Sequence, residues 1–153
     1  SQNCGSISSG LMLVLSVAIR GGICRCIPHS IGMMDETGCP KKGEKTPGVQ
    51  RQWCGATGKQ DNCVVTVHLG YAVADFHCLV DSELFLPESW SRDRPRCRAA
   101  DIPDDLVHRP QTDIAWELYA RARSNGIVFP WLTFDEGSGK SGAWMACRKR
   151  GPL

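Results

Sequence analysis

The sequence predicts an α/β fold built on a sheet of mixed strand directions. Three stretches predict it. Residues 63–73 (CVVTVHLGYAV) alternate as a half-buried strand does, with Val65, Val67, Leu69 and Tyr71 on one face and Val64, Thr66 and His68 on the other. From Thr112 an amphipathic helix is signalled. Residues 127–134 (IVFPWLTF) are short and almost wholly apolar, the pattern of a central strand covered on both faces. Strands, then a helix, then a buried strand is an α/β order.

The elements follow in turn. Leu11 to Ile19 (LMLVLSVAI) is too short to span a bilayer, which takes about 20 residues. No Lys or Arg precedes it, so it reads as a buried strand or helix rather than a signal peptide. Residues 36–48 (ETGCPKKGEKTPG) are rich in Gly, Pro and Lys and predict a loop. Gln50 to Cys54 reads as a short strand, residues 55–59 as a turn, and Phe76 to Val80 as an antiparallel return after Asp75. These strands make a meander from about Asp35 to residue 81. Residues 86–111 predict a short helix at LPESW and then an irregular insertion. In the helix from Thr112, Thr112 is the expected cap, and Ile114, Ala115, Leu118 and Ala122 form its apolar stripe. Glu117 is placed to pair with Arg121, and Asn125-Gly126 to end the helix. Pro130 belongs near the start of the last strand.

Composition is that of an ordinary globular domain: 153 residues, 42% hydrophobic and 22% charged. A net charge of +2 does not by itself mark a nucleic-acid binder, so any such role rests on local clusters. Nine cysteines cannot pair completely within one chain. No C-x-x-C pair occurs; Cys24-x-Cys26 with His29 and Cys39 is the nearest approach to a zinc site, and reduced thiols are the preferred reading. Gly137-Ser-Gly-Lys-Ser141 imitates a phosphate-binding loop, but the motif needs Gly at 134, where Phe134 stands.

Two acids stand out by placement. Asp35 closes Ser30-Ile-Gly-Met-Met-Asp35, and Asp135 closes Trp131-Leu-Thr-Phe-Asp135. Each is expected at the end of an apolar strand, where open α/β sheets gather ligands. Asp-Glu-Thr-Gly is also an ordinary turn signal, and a lone acid after a strand is often a cap. The adjacent Glu36 and Glu136 would face the other way in a continuing strand. Paired carboxylates are natural holders of Mg²⁺ or Mn²⁺, because such hard ions take oxygen ligands. Two such ions about 4 Å apart can stabilise both the attacking and the leaving oxygen of a phosphodiester. Lys41, Lys42, Lys45 and Arg51 follow Asp35 closely and are candidate phosphate contacts, Lys41, Lys42 and Arg51 foremost; a solvated loop is the alternative. Trp53 and Trp90 are either base-stacking residues or core. Arg92, Arg94, Arg96 and Arg98 would spread around a helix and make no single face, and Arg148-Lys-Arg150 reads as a solubilising tail.

The stretch from His29 to Gly55 (HSIGMMDETGCPKKGEKTPGVQRQWCG) resembles the first-aspartate region of bacterial insertion-sequence transposases of the DDE superfamily endonuclease type. The likeness continues through NCVVTVHLGYA from Asn62, LFLPESW from Leu84 and WLTFDEG from Trp131, so it spans residues 29–137. It implies an RNase-H-like mixed sheet, incomplete at the C-terminus, with Asp35 and Asp135 as first and second catalytic acids on a two-metal Mg²⁺ or Mn²⁺ site. It further implies DNA as partner (transposon ends and target), self-association, no membrane and a cytoplasmic location. The family carries a third acid, usually Glu, well beyond the second; here no Asp or Glu follows Glu136. The expectation is therefore a truncated copy, inactive alone: an unassigned segment 1–28, a partial core 29–137 and a basic, altered tail 138–153. The alternative is a non-catalytic remnant that only binds DNA or protein.

Overall fold

The computed structural model describes residues 27–134. The run at 11–19, Cys24, Cys26, Asp135, Glu136 and the 137–141 motif lie outside them. The described chain forms β1 (Ile31–Pro40), β2 (Gln50–Cys54), β3 (Lys59–Val73), β4 (Phe76–Leu84), α1 (Glu88–Arg92), α2 (Arg94–Ala99), α3 (Gln111–Ser124) and β5 (Trp131–Thr133). Strands lie in the order β2-β3-β1-β5, with β4 also paired to β3. β2 is antiparallel to β3, whereas β1 is parallel to β5, so the fold is α/β with a mixed sheet.

Several expectations need correction. Residues 36–40 are not loop, because β1 continues to Pro40. Gly38 is not a turn glycine: a side chain there would meet the Cys54 backbone and thiol at 3.1 Å, so it marks a close approach of two segments. Cys54 Sγ donates to the Gly38 carbonyl at 3.4 Å. The strands are not a simple meander, since β1 lies beside β3 and not beside its sequence neighbour β2. The run from Ile127 is mostly irregular and only Trp131–Thr133 is strand, starting just after Pro130. It is not covered on both faces, for Trp131 is 67% exposed. The helix begins one residue before Thr112, at Gln111.

The chain divides into two compact units. In the described residues the first comprises 27–35, 68–82 and 115–134. Its α3 residues Ala115, Leu118, Tyr119 and Ala122 are buried, as the 3.6-residue stripe predicts. Asn125-Gly126 ends α3 with Gly126 at φ 81° and Ile127 N donating to the Ala122 carbonyl at 3.0 Å. Arg121 Nε reaches the buried carboxylate of Asp81 at 2.7 Å. Phe129 lies with its ring centre 6.4 Å from that of Tyr71 and 5.7 Å from that of Tyr119. β1 and β5 register as Ile31 with Trp131, Gly32 with Leu132 and Met33 with Thr133. Gly32 is obligatory here, because a Cβ would stand 2.4 Å from the Phe129 ring.

The second unit comprises 36–67 and 83–114. The β2–β3 turn closes on Gly58 at φ 64°, whose N–H donates to the Cys54 carbonyl at 2.9 Å. Val49, Val64, Leu86, Trp90, Cys97 and Ile102 make one core cluster; Cys54, Cys63 and Val65 make another, with Phe85 against it. Trp90 is fully buried, and its indole N–H donates to the Val49 carbonyl at 2.7 Å. The irregular chain after α2 is tied down by side chains. Arg94 donates to the Leu106 and Pro103 carbonyls at 3.1 Å each, and His108 N donates to Ser91 Oγ at 2.9 Å. Cys39, Cys54, Cys63, Cys78 and Cys97 are all free thiols. Burial and the neighbouring Cys54 thiol push Cys63 up to about 11 from 9.0.

Two outcomes are expected. Gly32→Ala will destabilise the protein by about 1–3 kcal/mol in urea unfolding, the range for overpacking. Phe129→Leu in that background will recover part of the loss; a cost within the ~0.5 kcal/mol of a neutral surface change would contradict the overlap. Because Cys63 loses its proton later in the folded than in the unfolded chain, its contribution is full below pH 9 and is lost as pH rises to about 11. Melting temperatures across that interval will fall less steeply in Cys63→Ala than in the parent, whatever the midpoint shift; parallel slopes would refute it.

Candidate metal and nucleic-acid site

Asp35 lies within β1, not at its end. The alternation of the strand puts Ile31, Met33 and Asp35 on one face and the buried Gly32 and Met34 on the other. Asp35 is exposed, and Glu36 falls on the opposite face, as a continuing strand requires. His68 of β3 feels the Asp35 charge. Burial lowers the imidazole below its ordinary value, while Asp35 pulls it the other way. Burial prevails, so a neutral ring accompanies the carboxylate at neutral pH.

An Mg²⁺ or Mn²⁺ ion would need several oxygen donors. Asp35 fits as one of them by chemistry and exposure. Among the described residues no group of three or more His, Cys, Asp or Glu gathers, and Asp135 lies outside them.

The basic residues belong to the second unit, and two of them converge on Asn62. Arg51 of β2 stands opposite Asn62 of β3 in the antiparallel register. Asn62 Nδ2 donates to the carbonyls of Lys41 at 3.0 Å and Gly43 at 2.8 Å, and Lys41 N donates to Asn62 O at 2.8 Å. One amide side chain thus holds the segment that carries Lys41 and Lys42. Lys41, Lys42 and Arg51 are all exposed. Trp53 is 64% exposed, whereas the burial of Trp90 makes it core and not a base-stacking surface.

Beside Asn62 the same unit opens into a groove of about 680 Å³. Val49, Trp90 and Ala100 contribute apolar lining; Lys45, Arg51 and Arg96 bring positive charge and Glu44 an acid. The Arg96 guanidinium lies 3.8 Å from the centre of the Trp90 ring, and its Nη2 donates to the Glu44 carbonyl at 2.9 Å. The other arginines of this unit each engage a carboxylate. Arg92 pairs with Glu88, Arg109 with Glu83, and Arg94 and Arg98 share Asp104 at 3.5 and 3.6 Å. Among the described residues neither Arg51 nor Arg96 joins an ion pair with an acid.

Sequence reasoning singled out Asp35, Lys41, Lys42, Lys45 and Arg51 as candidates and passed over His68, Asn62 and the placement of Arg96. Asn62 carries no local signal, since its role is to fold back on a segment some twenty residues earlier. Arg96 was hidden in a run of alternating arginines; only the break at Asp93 between α1 and α2 turns it toward Trp90.

Residues 23–151 match the family described as DDE superfamily endonuclease. Over 110 residues, 72% of this chain, the sequence is 33% identical to a probable transposase for insertion sequence element IS701 from Microchaete diplosiphon. The chain spans about a quarter (26%) of that relative's length. No solved structure matches.

Asn62→Ala will free the segment at 41–45. Two hydrogen bonds at ~1 kcal/mol each correspond to roughly 30-fold in a local opening equilibrium. Limited trypsinolysis should therefore cut after Lys41, Lys42 or Lys45 several-fold faster in the variant; unchanged cutting would show that Asn62 does not hold the segment.

Proposed function

Because the chain belongs to the DDE superfamily endonucleases, we propose that residues 29–137 form a partial RNase-H-like catalytic core for DNA strand cleavage and strand transfer in transposition. In this reading Asp35 and Asp135 hold divalent metal, and Lys41, Lys42 and Arg51 contact the phosphates of transposon-end or target DNA. The register of β1 and β5 is the observation that carries it. Met33 pairs with Thr133 in parallel, and Asp35 and Asp135 each follow two residues later. Carboxylates are the oxygen donors that hard divalent ions ~4 Å apart require.

Metal bound there would stabilise the attacking and leaving oxygens of the phosphodiester. The chain's own residues have simpler tasks. Asp35 offers an exposed carboxylate on the same strand face as Met33. His68, kept neutral by burial, adds no positive charge to compete with a cation. The exposed lysines and Arg51 position the DNA backbone electrostatically. With two of the three expected carboxylates, the 153 residues alone bind metal and DNA without cutting. No helix of the described residues is long and apolar enough to cross a membrane, and a cytoplasmic place beside DNA belongs to the same proposal. A binding-only remnant is the second reading; the basic groove favours it, because it needs no metal chemistry.

Manganese titration followed by electron paramagnetic resonance tests the pair. Loss of outer-shell partners alone costs about 10–100-fold in metal affinity, so Asp35→Asn and Asp135→Asn should each weaken binding by roughly tenfold or more. Wild-type-like binding in either variant would refute the shared site. Mn²⁺-dependent nicking of element-end DNA by the 153-residue chain, lost in Asp35→Ala, would overturn both the expected inactivity and the binding-only reading.

A further inference from the structure

The geometry points to the groove of the second unit as a holding site for the sugar–phosphate backbone of DNA, with Arg96 and Lys45 as contacts in addition to Arg51. This rests on the reading of the protein as a DNA-acting one, but on residues that take no part in the proposed metal site.

Charge is the first reason. Lys45, Arg51 and Arg96 line the groove, and no ion pair among the described residues cancels them. The remaining arginines of the unit are all engaged with carboxylates. Glu44 is the single acid of the lining, and its carbonyl is what holds Arg96.

Preorganisation is the second reason. Arg96 is fixed by two partners, the Trp90 face at 3.8 Å and the Glu44 carbonyl at 2.9 Å. Trp90 is itself immobilised by the bond from its indole to Val49. A guanidinium already oriented loses less conformational entropy when it takes a phosphate, and its planar fork matches two phosphate oxygens.

The walls also say what the groove does not read. Base recognition needs amide or other donors and acceptors aimed at base edges. Here Asn62 is committed to Lys41 and Gly43, while Gln50 donates to Gln52 and accepts from Ser89. The Trp90 ring is buried and covered by Arg96, so it offers no stacking platform. Cations remain, and they recognise phosphates without regard to sequence.

Fluorescence anisotropy with a labelled short DNA duplex, in two unrelated sequences and over a salt series, is the test. Lys45 and Arg51 are not buried, so the double variant Lys45→Gln/Arg51→Gln should melt like the parent. It should bind roughly tenfold more weakly near 50 mM salt and flatten the slope of log affinity against log salt by about two phosphate contacts. Arg96→Lys keeps the charge and loses the planar stack, so it should weaken binding less than Arg96→Gln. Both duplex sequences should respond alike. Unchanged affinity and slope in the double variant, a loss confined to one sequence, or no DNA binding by the parent would overturn the proposal. Asp35→Asn, measured alongside, should leave the salt slope unaltered. If the groove variants are silent while Asp35→Asn still loses Mn²⁺, the groove and the Arg51 phosphate contact are wrong and the metal site stands. If the groove variants lose DNA while Asp35→Asn keeps Mn²⁺, the metal site alone is wrong.

Discussion

The parallel pairing of β1 with β5 is the constraint on which the rest of the first unit depends. Three residue pairs join positions about a hundred residues apart, and a loop that long costs entropy to close. Parallel neighbours require a crossover, and α3 leads into it. Side-chain packing helps to secure the closure. Phe129 presses on Gly32, where there is no room for a methyl group, and its ring meets those of Tyr71 and Tyr119. A slip of one residue would carry every side chain of the strand to the other face. Such a slip would turn Asp35 to the opposite face, so the exposure of its carboxylate is a consequence of where an aromatic ring meets a glycine.

The second unit solves a different problem. Its helices are short, with five and six residues in α1 and α2, and helices of that length do not persist on their own. Burial of Trp90 and Cys97 supplies the order, and the Cys97 thiol donates to the Trp90 carbonyl at 3.1 Å. Arg94 and His108 then bond to backbone carbonyls of the irregular chain and its neighbours, His108 through Nδ1 at 2.9 Å from the Leu86 carbonyl. The groove inherits its rigidity from these contacts, because the Trp90 that anchors the unit also supports Arg96.

Periodicity made much of this fold legible. The alternation through Val65, Val67 and Leu69 and the stripe of Ile114, Leu118 and Ala122 correspond to buried faces. β2 and the ending of α3 at Gly126 also agree with the reading of their residues. Features that depend on contacts between distant segments were not legible. Gly38 and Pro40 read locally as a turn, yet both lie in β1, and Gly38 leaves room for a close approach of Cys54. Pro130 limited the last strand more than the apolar run around it suggested. At the site, Lys41 and Arg51 were visible as charges near an acid, and the segment that carries Lys41 owes its place to Asn62. Arg96 owes its orientation to a tryptophan on another helix.

The way Arg96 is held has an effect that reaches beyond the groove. An aromatic face and a peptide carbonyl orient the guanidinium, and neither carries a net charge to set against it. Arg92 and Arg109, paired one to one with Glu88 and Glu83, form local dipoles whose fields fall off quickly. Arg96 instead keeps the field of a monopole out to about one screening length, ~8 Å at physiological ionic strength. A chain with a net charge of only +2 can therefore steer a polyanion toward one spot and raise the rate of encounter, without the general stickiness of a strongly basic protein.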